Sequence, residues 1–178
     1  MSWTIESIQE ADVDPASVFA LYADPSTWNA WGHNATWARA DGPLVEGGTV
    51  DVRAGYGTVY HCEIRRLDPG RALELVVRPA FLTIINSYEV EPTAAGARVR
   101  HAFEVSGPIA GVARLGLARA YRRQLEHEVA AVIRLAKDPS ASTRPVRPRP
   151  CRRRSGSGTG WAGRSGAVAR SSAERTRG

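Results

Sequence analysis

Tyr88 and His101 are the two side chains whose types and spacing come nearest to acid/base chemistry. They stand in two alternating runs, "FLTIINSYEVEP" over 81–92 and "GARVRHAFEVSG" over 96–107. If these runs pair as an antiparallel hairpin around Thr93–Gly96, opposing residue numbers sum to 189. One face then sets Glu91 against Arg98 and Glu89 against Arg100. The other sets Val90 against Val99, Tyr88 against His101 and Asn86 against Phe103. A slip of one residue would destroy both patterns, so the register is strongly specified. A phenol facing an imidazole inside the fold predicts a Tyr88–His101 hydrogen bond. Such a pair can orient a proton donor toward a carbonyl or polarise an enolisable substrate. Asn86, one step along the same face, would hold a ligand carbonyl or hydroxyl. The plain alternative is an inward polar pair that satisfies itself and does no chemistry.

Aromatic residues cluster early. The stretch "DPSTWNAWGHNATW", 24–37, holds Trp28, Trp31 and Trp37, three of the five tryptophans of the chain. They either help to close a ligand-sized hollow or serve as core anchors, and Trp28 and Trp31 have the i, i+3 spacing of helix packing. Tyr60, Cys62 and Ile64 alternate toward the interior, leaving His61 outside. Cys62 has no neighbouring base to activate it and reads as a small buried hydrophobe. His33 falls in a loop and is expected to be exposed. Arg114, Arg119, Arg122 and Arg123 would attract an anionic ligand or membrane, or simply form a solvated helix face. No GxSxG elbow, GxGxxG turn, P-loop or HExxH is present, and the four histidines lack ligand spacing, so no metal or cofactor is expected.

The elements that must position these residues follow from periodicity. "WTIESIQEAD", "GTVDVRAG", "GTVYHCEIRRLD" and "RALELVVRP" join the two runs above as consecutive antiparallel strands, separated by "DGP", "DPG" and "PTAAG" turns. Asp14 caps a short helix with Pro15 at its first position and Val18, Leu21 and Tyr22 on one face. A second Asp-Pro at 24–25 restarts it, giving two short helices. Residues 109–137 form one long helix with a stripe of Leu117, Tyr121, Leu125, Val129, Val132 and Ala136. The order is α+β, a curved sheet burying one face against the terminal helix.

The chain of 178 residues suits one domain with a real core. Its net charge of +6 is unevenly placed. Residues 1–138 carry 14 Lys and Arg against 17 Asp and Glu, a net of −3; residues 139–178 carry 10 Arg against one Glu, a net of +9. That basic Arg/Pro/Gly/Ser-rich tail has too few large apolar residues to repay ordering, and is expected to be disordered. It reads as an arm for nucleic acid or an anionic membrane, a solvated tail, or readthrough of a GC-rich gene in a shifted frame. It lacks the aromatic interleaving of nucleic-acid binders, and no function is assigned to it. The polar start and the lack of any run of roughly 20 apolar residues point to the cytoplasm. The two cysteines, Cys62 and Cys151, form neither a disulfide framework nor a CxxC site.

The run "DP..VF.LYADPSTWNAW", Trp37 and "DGP", then "VEP" and "RVRHAFEVSGP" entering the last helix resemble the SRPBCC or START-like helix-grip superfamily, in particular its bacterial polyketide cyclase/dehydrase and lipid-transport group. The resemblance covers about residues 3–137, and its motifs are diffuse. It implies a seven-stranded antiparallel sheet wrapped around the long helix, with residues 35–41 as the remaining strand and an apolar cavity between sheet and helix. The cavity wall is then expected to include Trp28, Trp31, Trp37, Tyr60, Asn86, Phe103, Tyr121 and Leu125. The leading expectation is a binding protein for an apolar or aromatic, lipid- or polyketide-like molecule. The alternative is a polyketide cyclase or dehydratase with Tyr88 and His101 as acid and base. A third is a partner-binding module using the basic tail.

Overall fold

A computed structural model of the chain describes residues 1–32 and 34–138; His33 and the basic tail lie outside the described residues. Seven strands, β1 (Ser2–Ala11), β2 (Ala35–Ala40), β3 (Thr49–Ala54), β4 (Val59–Asp68), β5 (Ala72–Val77), β6 (Thr83–Thr93) and β7 (Gly96–Ser106), form one antiparallel sheet. Its order is β1-β7-β6-β5-β4-β3-β2, so every sequential pair from β2 onward is a hairpin neighbour and only β1 joins from afar. Helix α1 (Pro15–Ala23) follows β1, then a 3-10 turn (Pro25–Thr27) running into α2 (Trp28–Trp31). Helix α3 (Ala110–Lys137) closes the described chain. No described helix is long and apolar enough to cross a membrane.

Local chemistry explains these boundaries. The Asp14 carboxylate accepts from the backbone N–H of Ala16 and Ser17 at 3.3 and 3.1 Å, capping α1 with Pro15 behind it. Those donors, with the Ser17 hydroxyl first among them, lower the Asp14 pKa. Asp24 repeats the device by accepting from Ser26 N at 2.9 Å.

The β6–β7 register is the one the alternation predicts: Asn86 faces Phe103, Tyr88 faces His101 and Val90 faces Val99. On the outer face Arg100 bridges Glu6 and Glu89, both at 2.9 Å, and Arg98 reaches Glu10 at 2.7 Å and Glu91 at 3.5 Å. Gly96 closes the hairpin with φ 124, where a Cβ would run into the carbonyl of Ala11.

The core has two parts. The larger gathers Val18, Tyr22, Trp28, Trp31, Val50, Leu73, Val90, Val99, Val129 and Val132 between the sheet, the short helices and the second half of α3. The smaller gathers Trp3, Ile5, Phe103, Val105, Ala110 and Leu125 nearer the start of α3. Between them the packing does not fill.

Candidate functional site

A hollow of about 160 Å³ lies between the concave face of the sheet and α3. Strand parity supplies one wall: Tyr60 and Cys62 from β4, Asn86 and Tyr88 from β6, and Phe103 from β7. Helix α2 supplies Trp28 and Trp31, and α3 supplies Tyr121, Gln124 and Glu128, whose i, i+3, i+7 spacing puts them on one face. Tyr56, in the β3–β4 turn, stands at the edge with its hydroxyl bonded to that of Tyr60. The lining is mostly aromatic and aliphatic, with a few convergent polar groups, the composition expected of a small-molecule site.

The tryptophans of α2 are both anchors and wall. Trp28 and Trp31 are buried and lie 6.2 Å apart. Their indole N–H groups donate to Tyr22 O at 3.1 Å and Thr27 Oγ1 at 3.3 Å. Phe103 and Tyr121 stack at 4.0 Å.

Two expected wall residues sit elsewhere. Trp37 does not line the hollow: a register shift between Ala35 and Trp37 inserts an extra residue into β2, so Ala35 and Ala38 point inward and Trp37 turns away, under the guanidinium of Arg39 at 5.1 Å. Leu125 is buried in the smaller core with Trp3 and Phe103 and does not line the hollow.

His101 differs from expectation in a more consequential way. Its ring packs edge-on against Tyr88 at 4.9 Å, yet the two do not hydrogen-bond. Instead His101 Nε2 lies 2.9 Å from the hydroxyl of Tyr22 on α1. Its side chain is wholly buried behind Tyr88 and Trp31 and does not reach the hollow. The physical reason is geometric: a directly cross-strand pair stands side by side, so the ring edge of one meets the ring face of the other. The polar tip of the imidazole is then free for a residue arriving from above.

The other ring nitrogen, Nδ1, has no hydrogen-bond partner among the described residues and sits 3.7 Å from Glu128 Oε2. A bare Nδ1 lone pair facing a carboxylate would be repulsive. The arrangement therefore favours the tautomer with the proton on Nδ1 and Tyr22 O–H donating to Nε2.

Glu128 itself is 5% exposed. Its Oε1 accepts from Gln124 Nε2 at 2.9 Å, and Gln124 Oε1 accepts from Asn34 Nδ2 at 3.0 Å. A polar line thus runs from the edge of the hollow to a buried imidazole, with the carboxylate on the wall. Burial first, then the Glu128 charge, raises the pKa of both Tyr22 and Tyr88 well above the ordinary phenol value, so both stay protonated donors at neutral pH. Burial also pushes the Cys62 thiol up to about 11, keeping it a neutral wall atom. Among the described residues the Tyr88 hydroxyl and the Asn86 amide have no side-chain partner, and both open onto the hollow. No group of three or more potential metal ligands is gathered among the described residues.

Gln124 and Glu128 escape the sequence reading, which places Tyr22 only on the packing face of its helix and not against His101. Glu128 had a usable signal: it lies seven residues after Tyr121 and four before Val132, on the apolar stripe itself.

The model for polyketide cyclase / dehydrase and lipid transport proteins matches residues 2–133. No curated protein matches the chain by sequence. Among solved structures, protein SA2116 from Staphylococcus aureus aligns with a TM-score of 0.64 at 11% identity, covering 79% of this chain and 96% of that one. Protein MLL2253 from Mesorhizobium loti aligns with 0.58 at 19% identity, covering 74% and 98%. The di-domain ARO/CYC StfQ from the steffimycin biosynthetic pathway aligns with 0.63 at 12% identity, covering 79% of this chain and 52% of that one. These identities speak for the shared fold alone. The match over residues 2–133, with the helix-grip fold beneath it, makes this chain a member of the polyketide cyclase/dehydrase and lipid transport family.

Proposed function

We propose that the protein binds a small apolar or aromatic molecule in the hollow between the sheet and α3, as a cytoplasmic carrier or sensor. The observation that supports this best is an aromatic-walled space lined by the Asn86 amide and the Tyr88 hydroxyl, neither of which has a side-chain partner among the described residues. Size narrows the ligand. A dry apolar cavity of about 150 Å³ holds a benzene-sized molecule, and this one, at about 160 Å³, is open at one side. A one- or two-ring compound fits; an extended polyketide chain would need the hollow to widen. Removing roughly 200 Å² of ligand apolar surface from water at about 25 cal/mol per Å² supplies about 5 kcal/mol before the costs of association. Submillimolar to millimolar affinity is the scale to expect, with Asn86 and Tyr88 setting orientation rather than strength.

A second reading, turnover of an enolisable ligand, is favoured by one observation: the Glu128 carboxylate on the cavity wall. His101 is walled off by Tyr88, so the expected Tyr88–His101 acid/base pair is replaced in this reading. Glu128 would take the proton and Tyr88 would donate to the developing oxyanion, with His101 positioning Glu128. Incubating the purified protein with one- and two-ring β-keto compounds and following their conversion separates the two readings. Conversion abolished by Glu128→Gln supports an enzyme; saturable binding without conversion supports a carrier.

A further inference from the structure

We propose that the end of the domain bearing Phe81, Val112 and Leu115 is a docking surface for an anionic lipid bilayer. The sheet registers place these residues together. Ser106, at the end of β7, pairs with Ser2 on one side and Thr83 on the other, so β1 and β6 begin where β7 ends. Phe81 lies two residues before β6, and a Cβ on Gly107 would meet the Phe81 carbonyl, so the β5–β6 loop abuts the segment that leads into α3. Val112 and Leu115 occupy the first two turns of that helix.

All three side chains stand in solvent: Phe81 is 74% exposed, Val112 75% and Leu115 90%. Phe81 does so at φ 64, the only non-glycine residue of positive φ among those described. That conformation is costly for a bulky residue, and here it holds an aromatic ring outward rather than into the core.

Charge selects the occupant. Residues 110–125 carry Arg114, Arg119, Arg122 and Arg123 and no acid, within a body of net −3 over residues 1–138. At 1.5 Å per residue, the last three lie roughly 6 to 12 Å along the axis from Leu115, a distance comparable to the headgroup layer. Apolar tips on a loop and a helix start, backed by a basic flank, match an interface in which side chains insert singly and arginines reach phosphates. The lining of the hollow extends toward this same end through Tyr56, Ile84 and Tyr121. A molecule leaving a bilayer could enter there without crossing water. The surface proposal itself is independent of which ligand, if any, the hollow holds.

The test is flotation of the full chain with vesicles of phosphatidylcholine containing about one third phosphatidylglycerol, where each arginine near the surface contributes roughly fivefold in partitioning. The wild type is expected to float. The triple variant Phe81→Ser/Val112→Ser/Leu115→Ser should partition at least tenfold less while keeping its thermal unfolding midpoint. Arg114→Glu/Arg119→Glu should lose more than fivefold, and should carry the test alone if the triple variant unfolds. The proposal is overturned if the wild type does not float. It is equally overturned if neither variant reduces flotation, which would assign lipid contact to the arginines of residues 139–178. Light scattering without vesicles gives the remaining outcome: a wild-type dimer lost in the triple variant would assign the face to a second copy of the chain.

Discussion

The hydroxyl of Tyr22 and Nε2 of His101 lie 2.9 Å apart, tying the first helix to the last strand behind the Tyr88 and Trp31 side chains that wall the hollow. Both side chains are wholly buried. The hydrogen bond therefore belongs to the fold, whereas the neighbouring hydroxyl of Tyr88, which opens onto the hollow, belongs to whatever enters it.

That division predicts opposite phenotypes for two similar changes. Tyr22→Phe strips a buried imidazole nitrogen of its partner and should cost about 1–3 kcal/mol of stability. Tyr88→Phe breaks no hydrogen bond and should cost less than about 0.5 kcal/mol, while weakening ligand affinity several-fold. Urea denaturation of both variants, alongside a binding titration, checks the pair.

Alkaline pH should loosen the same region. Tyr22 and Tyr88 have folded-state pKa values raised by burial, so the unfolded chain releases their protons first. Stability is then fully present below the unfolded phenol value of about 10 and falls as pH rises past it, by up to about 1.4 kcal/mol per pH unit for each group. Cys62, pushed up to about 11 by burial from an ordinary thiol value of 9.0, adds a loss that begins near pH 9. Urea midpoints measured from pH 8 to 11 should decline, and Tyr22→Phe should make the decline above pH 10 shallower.

Gly96→Ala should be among the more damaging single changes outside the core. The position holds φ 124, and a Cβ there meets the Ala11 carbonyl, so the β6–β7 turn must shift. A loss of about 2 kcal/mol or more in denaturant unfolding is expected, whereas Arg98→Ala on the exposed, solvent-screened charged face should change stability little.

The sheet and the long helix were legible in the sequence because their signals repeat. Alternating residues over 83–93 and 96–106 allow one register, and the Glu89–Arg100 and Glu91–Arg98 pairs confirm it on the opposite face. What was not legible arises between elements. Cross-strand register made Tyr88 and His101 neighbours but could not say which polar atom a third element would offer, and α1 brings Tyr22. Trp37 was misplaced because clustering of tryptophans in sequence does not say which face of β2 each takes, and nothing in "HNATWARA" marks the one-residue bulge that turns it away. Glu128 was passed over because a charged residue on an apolar stripe looks like a break in the stripe. Only the packed helix shows the carboxylate facing a hollow.

The measurement that bears most directly on ligand binding is native mass spectrometry of the full chain, followed by titration with an environment-sensitive naphthalene probe against wild type, Asn86→Ala and Cys62→Leu. Saturable one-to-one uptake is expected at roughly submillimolar to millimolar probe concentration, weakened several-fold by Asn86→Ala and blocked by the larger side chain of Cys62→Leu without loss of folding. No bound mass and no saturable uptake, or uptake indifferent to both substitutions, would contradict this expectation and leave the hollow a packing defect.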